Sequence, residues 1–133
     1  MKKACTVQCK ECPFRHVCMP GYLGGYNVSM VFNAIWRNVP FFCHPKINYR
    51  DPKWEEKANK NGRLCLGGLK FANMLLAPMR VDAYPDSDQQ VIDARASTVG
   101  RLDIDCMEPR EFKRWHDRAS QTMATNRSRS SNL

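Results

Sequence analysis

The sequence has no long apolar run, and no stretch of its 133 residues approaches the roughly 18 apolar residues of a membrane-spanning helix. Its start, Met-Lys-Lys-Ala-Cys, also lacks the apolar segment of a signal peptide. We therefore expect neither a membrane protein nor a secreted disulfide framework. The expected location is a reducing cytoplasm, where thiols stay free to bind metal.

Histidines and catalytic motifs are also scarce. The three histidines are scattered, and none stands in a recognisable arrangement of nucleophile, base and orienting group. The glycine-rich stretch 21–25 lacks the Gly-Lys-Ser/Thr ending of a phosphate-binding P-loop. The sequence thus gives no positive indication of an enzyme, and we do not expect one.

Acidic residues are outnumbered, and the formal net charge is +8. Basic residues dominate 1–78 and the part from 106 onward, whereas 79–105 is acidic. This balance favours nucleic acid or an acidic host protein as partner, although solubility alone is the simpler explanation and no groove-reading motif is present. The basic side chains that we expect to contact the partner are Arg15, Arg110, Lys113, Arg114 and Arg118, with Lys2, Lys3 and Lys10 in the cysteine-containing N-terminal stretch.

Cysteine is abundant, with seven in the chain. Cys9 and Cys12 form a Cys-x-x-Cys pair, which presents two thiolates to one centre from a single turn, and Cys43 and Cys65 each lie at a predicted helix boundary. We predict that these four cysteines are the ligands of one metal centre. Cys18 could replace one of them, and His44 would hydrogen-bond nearby rather than bind metal. Cys5 is expected to be spare, and Cys106 to be a buried apolar side chain.

The metal is predicted from ligand spacing. Structural zinc sites commonly use two short Cys/His pairs, whereas this chain has one short pair and two isolated cysteines. Iron–sulfur clusters accept ligands from separate loops, and Cys12-Pro13 is similar to the Cys-Pro of ferredoxin-type sites. The prediction is a [4Fe–4S] cluster, with Zn²⁺ as the alternative.

Apolar periodicity predicts a mainly α fold: one small domain of about four to five short helices around the metal centre, with an irregular N-terminal loop. The predicted helices begin after the cap Asn27, at Asp51-Pro52, at Leu64, at a Ser87–Gln90 capping box and at Pro109. They end before Asn38, near Lys60, at Leu76, near Ala96 and at 124, and 101–105 is a candidate strand. The domain is expected to span 1–124, with the acidic segment 79–105 and the basic final helix 109–124 packed on it, and 125–133 as a disordered tail.

The motifs of residues 9–77 resemble those of a family of small phage and bacterial proteins to which we assign no biochemical function. The shared pattern is Cys-x-x-Cys-Pro-Phe-Arg at 9–15, a Gly-Tyr-Leu-Gly turn at 21–24, Phe-x-Cys-His at 41–44 and Cys-x-Gly at 65–67. The resemblance implies that Cys9, Cys12, Cys43 and Cys65 are shared ligands and that the protein acts in a bacterial host cell.

A weaker similarity is to the WhiB-like iron–sulfur transcription regulators. Cys9-x2-Cys12-x5-Cys18 and the Gly21–Gly25 turn are similar to elements of that family, but their order and spacing differ. The fourth cysteine that the family pattern expects upstream could only be Cys5, which is too close to Cys9. This similarity implies a role in transcription.

Three functional hypotheses follow from the sequence. The first is a phage-type metal-cluster protein that contacts nucleic acid or host transcription or defence machinery through its basic surface. The second is a redox-sensing or electron-carrying iron–sulfur protein, and the third is a zinc-stapled adaptor or inhibitor without chemistry. The sequence does not predict the oligomeric state.

Overall fold

A computed structural model describes residues 3–23, 25–43, 48 and 50–119 of the chain. They form one small, mainly α domain, as the apolar periodicity predicts. In chain order, the elements are β1 (Lys3–Ala4), α1 (Val28–Trp36), α2 (Trp54–Asn61), β2 (Arg63–Leu64), α3 (Leu66–Met74), a 3₁₀ turn (Val81–Ala83), α4 (Gln89–Thr98) and α5 (109–119). Among the described helices, none has both the length and the apolar composition to cross a membrane.

The first helix, α1, follows its sequence signals closely. The side chain of Asn27 accepts a hydrogen bond from the backbone N–H of Met30 at 2.8 Å, so this residue is the predicted N-cap. Val31 and Ile35, four residues apart, turn into the core. The chain leaves the helix at Asn38, which is fully buried and has a left-handed φ of 57°.

The segment that precedes α3 differs from the prediction. Leu64 was predicted to begin a helix, but it lies in β2 and pairs in parallel with Ala4 of β1. Leu64 also forms an antiparallel bridge with Phe42. The helix begins at Leu66 because these pairings hold the backbone of 63–65 extended, and it ends at Met74, two residues before the predicted end.

Three other boundaries also need correction. The N-cap of α4 is Asp88 rather than Ser87, since the Asp88 carboxylate accepts the N–H of Gln90 at 2.8 Å. Residues 101–105 form turns rather than a strand. The helix predicted from Asp51-Pro52 begins at Trp54, because the Asp51 carboxylate instead accepts the N–H of Lys53 in a local turn.

The core is built around Phe14, whose side chain is completely buried directly after the Cys-x-x-Cys turn. Its ring stacks on Phe112 of α5 at 5.1 Å and packs against Phe71 of α3 at 5.1 Å and Phe41 at 5.6 Å. The cysteine turn is therefore anchored to two helices through one aromatic side chain. The predicted helix end at 124 and the tail 125–133 lie outside the described residues.

Candidate metal centre

Backbone hydrogen bonds around β2 fix the positions of three cysteines. The N–H of Cys5 donates to Leu64 O at 3.0 Å, and the N–H of Cys43 donates to Arg63 O at 2.8 Å. Cys65 donates to Phe41 O at 2.8 Å. Three chain segments that are distant in sequence are thus joined side by side, each carrying one cysteine.

The Cys9–Cys12 turn closes over this ladder and is held by Arg15. The guanidinium of Arg15 donates to the carbonyl of Cys9 at 2.7 Å and to that of Gln8 at 3.2 Å. The N–H of Cys12 donates back to Cys9 O at 3.3 Å. Arg15 was predicted to contact a partner, and its hydrogen bonds also give it an internal role in shaping the cysteine turn.

The four predicted ligands line one small cavity together. Cys9, Cys12, Cys43 and Cys65 enclose about 10 Å³, and Phe41, Phe42 and Tyr22 cover it. The Sγ atoms of Cys12 and Cys65 are 3.8 Å apart. Cys43 interacts with the thiols of both Cys5 and Cys9. We call these five residues, Cys5, Cys9, Cys12, Cys43 and Cys65, the thiol cluster.

The sulfurs of the thiol cluster stand as two groups. Cys12 pairs with Cys65, while Cys43 lies with Cys5 and Cys9. Within the described part of the chain, no three Cys, His, Asp or Glu side chains are placed closely enough to hold a metal ion together. Ligation of one metal by four thiolates therefore requires side-chain rotations that bring the sulfurs of the two groups closer together across the shared cavity. All seven cysteines of the chain are free.

Electrostatic interactions favour the thiolate form of Cys12 and the thiol form of Cys43 and Cys65. The hydrogen bond from Cys65 lowers the pKa of Cys12 to about 7, and the same contact, together with burial, raises the pKa of Cys65. Burial, followed by the neighbouring Cys5 and Cys9, raises the pKa of Cys43 to about 12. One thiolate is thus favoured near neutral pH, whereas a second negative charge in this buried space is costly. A bound cation would remove that cost.

Backbone N–H groups point at the sulfurs of the candidate ligands. Glu11 N–H donates to Cys9 Sγ at 3.3 Å, and the N–H of Phe14 lowers the pKa of Cys12. The N–H of Gly68, in the first turn of α3, acts in the same direction on Cys65. N–H groups aimed at sulfur stabilise thiolate, the form that binds metal. Cys65 was predicted to lie within the start of a helix from Leu64; it instead directly precedes the N-terminus of α3, and this helix end adds to the effect.

Gly67 allows the two ligand-bearing segments to approach each other. A Cβ atom at this position would lie 2.5 Å from Cys12 Sγ and 2.8 Å from Phe14 Cβ. The glycine of the Cys-x-Gly motif is therefore explained by the close contact between the start of α3 and the cysteine turn.

Cys18, the predicted substitute ligand, lies outside the cavity. Its thiol donates to Pro13 O at 3.4 Å, and its sulfur is 3.9 Å from Nε2 of His116. Burial raises its pKa, so the thiol form is favoured. Cys106 is buried and donates to Gly67 O at 3.5 Å, as expected of a structural cysteine. His44 lies outside the described residues.

The basic residues of α5 are exposed, as a contact surface requires: Arg110, Lys113, Arg114 and Arg118. Lys113 is paired with Asp117 at 2.8 Å. The guanidinium of Arg118 lies over the ring of Trp115, 5.1 Å from its centroid. Arg110, Arg114 and Arg118 follow one another at four-residue spacing, so they lie along one side of the helix.

Sequence reasoning missed two residues near the centre. Cys5 was predicted to be spare, but it is buried in the thiol cluster beside Cys43. Gln8 joins the cysteine turn to 105, because its amide donates to Asp105 O at 2.6 Å and accepts the N–H of Asp105 at 2.7 Å. Cys5 directly follows the two-residue strand β1. A strand this short shows no periodicity in the sequence, so no signal placed Cys5 beside Cys43.

Comparison of the chain with family models, with curated proteins and with solved structures found no match. The functional argument therefore depends on the residues of this chain.

Two quantities test which metal fits the four thiols. In a tetrahedral Zn²⁺ site with Zn–S bonds of about 2.3 Å, neighbouring sulfurs are about 3.8 Å apart. The observed Cys12–Cys65 distance of 3.8 Å equals that edge. The cavity of about 10 Å³ has room for about one water-sized sphere. A [4Fe–4S] cluster would need the thiol cluster to widen.

Proposed function

We propose that this chain is a metal-centred binding protein in which Cys9, Cys12, Cys43 and Cys65 hold a structural metal and a basic surface contacts nucleic acid. The observation that carries the metal centre is the convergence of these four cysteines, from three distant parts of the chain, on one small enclosed cavity. The distance between Cys12 and Cys65 favours a single ion such as Zn²⁺. The [4Fe–4S] cluster that the motif favours stays a prediction.

The proposed role of the metal is structural. Four thiolates complete a tetrahedral zinc site and leave no open position for a substrate. The elements that supply the ligands are too short to be stable alone, since β1 and β2 have two residues each. A metal bound by the 9–12 turn, residue 43 and the start of α3 would hold these segments together. Its binding free energy would then contribute to the free energy of folding.

Purification without added metal, under anaerobic conditions and with elemental analysis, tests the centre. One zinc per chain in a colourless sample supports the mononuclear proposal. Four irons per chain, with thiolate–iron absorbance near about 400 nm, would support the same ligands and replace zinc by a cluster. A folded, soluble and metal-free chain that takes up neither Zn²⁺ nor iron would overturn the centre itself.

The nucleic-acid proposal is supported by the charge on α5. Cations at four-residue spacing repel one another, so Arg110, Arg114 and Arg118 disfavour the isolated helix. A chain of phosphates relieves that repulsion and also accepts hydrogen bonds from each guanidinium. Lys3 and Arg63, which stand side by side in the β1–β2 pairing and are both exposed, form a second like-charged pair.

Fluorescence anisotropy with random-sequence DNA and RNA oligonucleotides tests this contact across a series of salt concentrations. We expect affinity to fall steeply with salt, and the double substitution Arg110→Ala with Arg114→Ala to reduce the slope of log K against log salt by about 2 for duplex DNA, at about 0.9 per lost phosphate contact. Arg80→Ala is the matched control, because Arg80 is exposed but paired with Asp82. Absence of binding, or an unchanged slope in the double variant, would contradict the nucleic-acid proposal and favour an acidic host protein.

A further inference from the structure

The proposed centre needs four thiolates, and Cys9, Cys12, Cys43 and Cys65 line its cavity, yet a fifth cysteine, Cys5, lies beside one of these candidate ligands. Cys5 is 7% exposed and lies in the same apolar cluster as Cys43, against which Cys9 also packs. Cys5 and Cys9 are therefore both neighbours of the same candidate ligand, Cys43. The other two cysteines of the chain, Cys18 and Cys106, are engaged with carbonyl groups elsewhere.

The backbone holds Cys5 firmly in this position. Ala4 pairs in parallel with Leu64, and the Cys5 N–H extends the same ladder by donating to Leu64 O at 3.0 Å. The residue that follows each strand is a cysteine, so Cys5 and Cys65 come directly after the paired residues Ala4 and Leu64. Such a position is set by main-chain hydrogen bonds and does not depend on the Cys9–Cys12 turn.

Cys9 is the least enclosed of the four predicted ligands. It is half-buried, whereas Cys12, Cys43 and Cys65 are buried. Hydrogen bonds from Arg15 hold its turn together, and Gln8 ties the turn to Asp105; all of these contacts are only partly buried. If one ligand leaves the metal, the accessible one on the outer turn is the most readily displaced.

We propose that Cys5 is a fifth, exchangeable ligand of the centre that can replace Cys9. In the exchange, the metal–sulfur bond to Cys9 breaks and one to Cys5 forms. Cys5 loses its thiol proton and Cys9 gains one, so the charge of the centre and the number of thiolates are unchanged. The exchange would let the 9–12 turn open without release of the metal. This inference depends on the proposed metal centre.

Metal content per chain in a set of serine variants tests the exchange. Cys9→Ser should keep most of its metal, because Cys5 takes its place, whereas Cys5→Ser combined with Cys9→Ser should lose at least about tenfold. The matched control is Cys106→Ser combined with Cys9→Ser, which should retain as much metal as Cys9→Ser alone. A metal-free Cys9→Ser protein, or a Cys5/Cys9 double variant that retains metal, would overturn the exchange.

Cobalt substitution gives a second readout that does not need the double variant to fold. The intensity of thiolate-to-Co²⁺ charge-transfer absorption grows with the number of bound sulfurs. Cys9→Ser should therefore give the wild-type intensity, and Cys12→Ser a weaker band. Equally weakened bands in both variants would show that Cys5 does not substitute. Wild-type protein that binds no metal would instead refute the proposed function, so the two failures are distinct.

Discussion

Two buried polar clusters of this molecule differ in how completely their groups are partnered. At the junction of α1, α3 and α4, Arg95 is 1% exposed, and its guanidinium donates to five oxygen atoms. Nε donates to Asn73 Oδ1 at 3.1 Å, Nη1 to Asn38 Oδ1 at 2.7 Å and Pro78 O at 3.3 Å, and Nη2 to Ala72 O at 3.1 Å and Ala77 O at 3.2 Å. In the thiol cluster, by contrast, the sulfurs contact one another and a few backbone N–H groups.

This difference separates a structural cluster from a candidate ligand site. Every donor of Arg95 has an oxygen partner, and its positive charge lies beside the last carbonyl groups of α3, where a cation is favoured. Nothing more needs to bind there. The thiol cluster places several ionisable sulfurs around a cavity, and their mutual contacts raise the pKa of Cys43 and of Cys65. Under the proposed function it would gain stability from a bound cation, whereas the Arg95 cluster would not.

The largest expected effect comes from substitutions in the thiol cluster. Cys65→Ser or Cys43→Ser should lose the metal and the soluble fold, because the binding free energy of a structural zinc, about 10–16 kcal/mol in small peptides, contributes to folding. Cys106→Ser is the control, since a serine hydroxyl can donate to the same carbonyl of Gly67. Metal analysis and circular dichroism compare the three. Equal metal content in all of them would contradict the ligand assignment.

Arg95→Met should give the next largest effect, a loss of about 3–5 kcal/mol in the free energy of unfolding, because several buried carbonyl groups lose their partner at once. Metal content per chain should be unchanged, since this cluster is complete without metal. Urea denaturation of the metal-loaded protein measures the loss. Arg80→Met, at an exposed pair with Asp82, should cost about 0–1 kcal/mol. Loss of metal from Arg95→Met would erase the distinction between the clusters.

Sequence reasoning succeeded where the signal was local. Asn27 caps α1 and Pro109 begins α5, because caps and helix starts are determined by a few adjacent residues. It failed at Leu64, where a pairing with Ala4, sixty positions away, overrides the helical pattern. The cluster of Arg95 also escaped notice, since an arginine in a helix is usually exposed and only tertiary contacts bury it.

The candidate centre was predictable in composition but not in arrangement. The Cys-x-x-Cys turn and two isolated cysteines were sufficient to choose Cys9, Cys12, Cys43 and Cys65, which line the same cavity. Their division into two groups, and the presence of Cys5 beside Cys43, depend on β1 and β2. Strands of two residues carry no period, so their pairing could not be read from the sequence.

Gly67→Ala tests how far the two halves of the thiol cluster depend on close packing. The added Cβ would overlap Cys12 Sγ and Phe14, so we expect a loss of about 1–3 kcal/mol and a lower metal content. Gly68→Ala is a matched control in the same helix turn, because its nearest contact would be the flexible Ile35 Cδ1 at 3.3 Å. Denaturation and metal analysis compare the two variants. Equal stability and equal metal content would show that the thiol cluster does not depend on the close contact at Gly67.

The smallest predicted effect concerns His116, which resembles Arg95 in having each of its polar atoms partnered. Its ring donates from Nε2 to Pro13 O at 2.8 Å and accepts the N–H of Gly21 at Nδ1, at 2.9 Å, which requires the neutral form. Burial lowers the pKa of His116 below its usual value near 6.5. Because the unfolded chain takes up a proton first, stability is full above about pH 6.5 and falls as the pH drops toward the folded-state pKa.

The exposed His16 provides an opposite case within the same chain. Its hydrogen bond to Asp105 raises its pKa, so its contribution to stability is present at low pH and disappears as the pH rises through the folded-state value. The free energy of unfolding, measured between pH 5 and 8, should therefore no longer fall on the acid side in His116→Gln. It should still fall there in His16→Ala. If the decline persists in His116→Gln, then His116 is not the group whose protonation destabilises the fold. The thiol cluster, in which the pKa of Cys12 is lowered to about 7, would be the next group to examine.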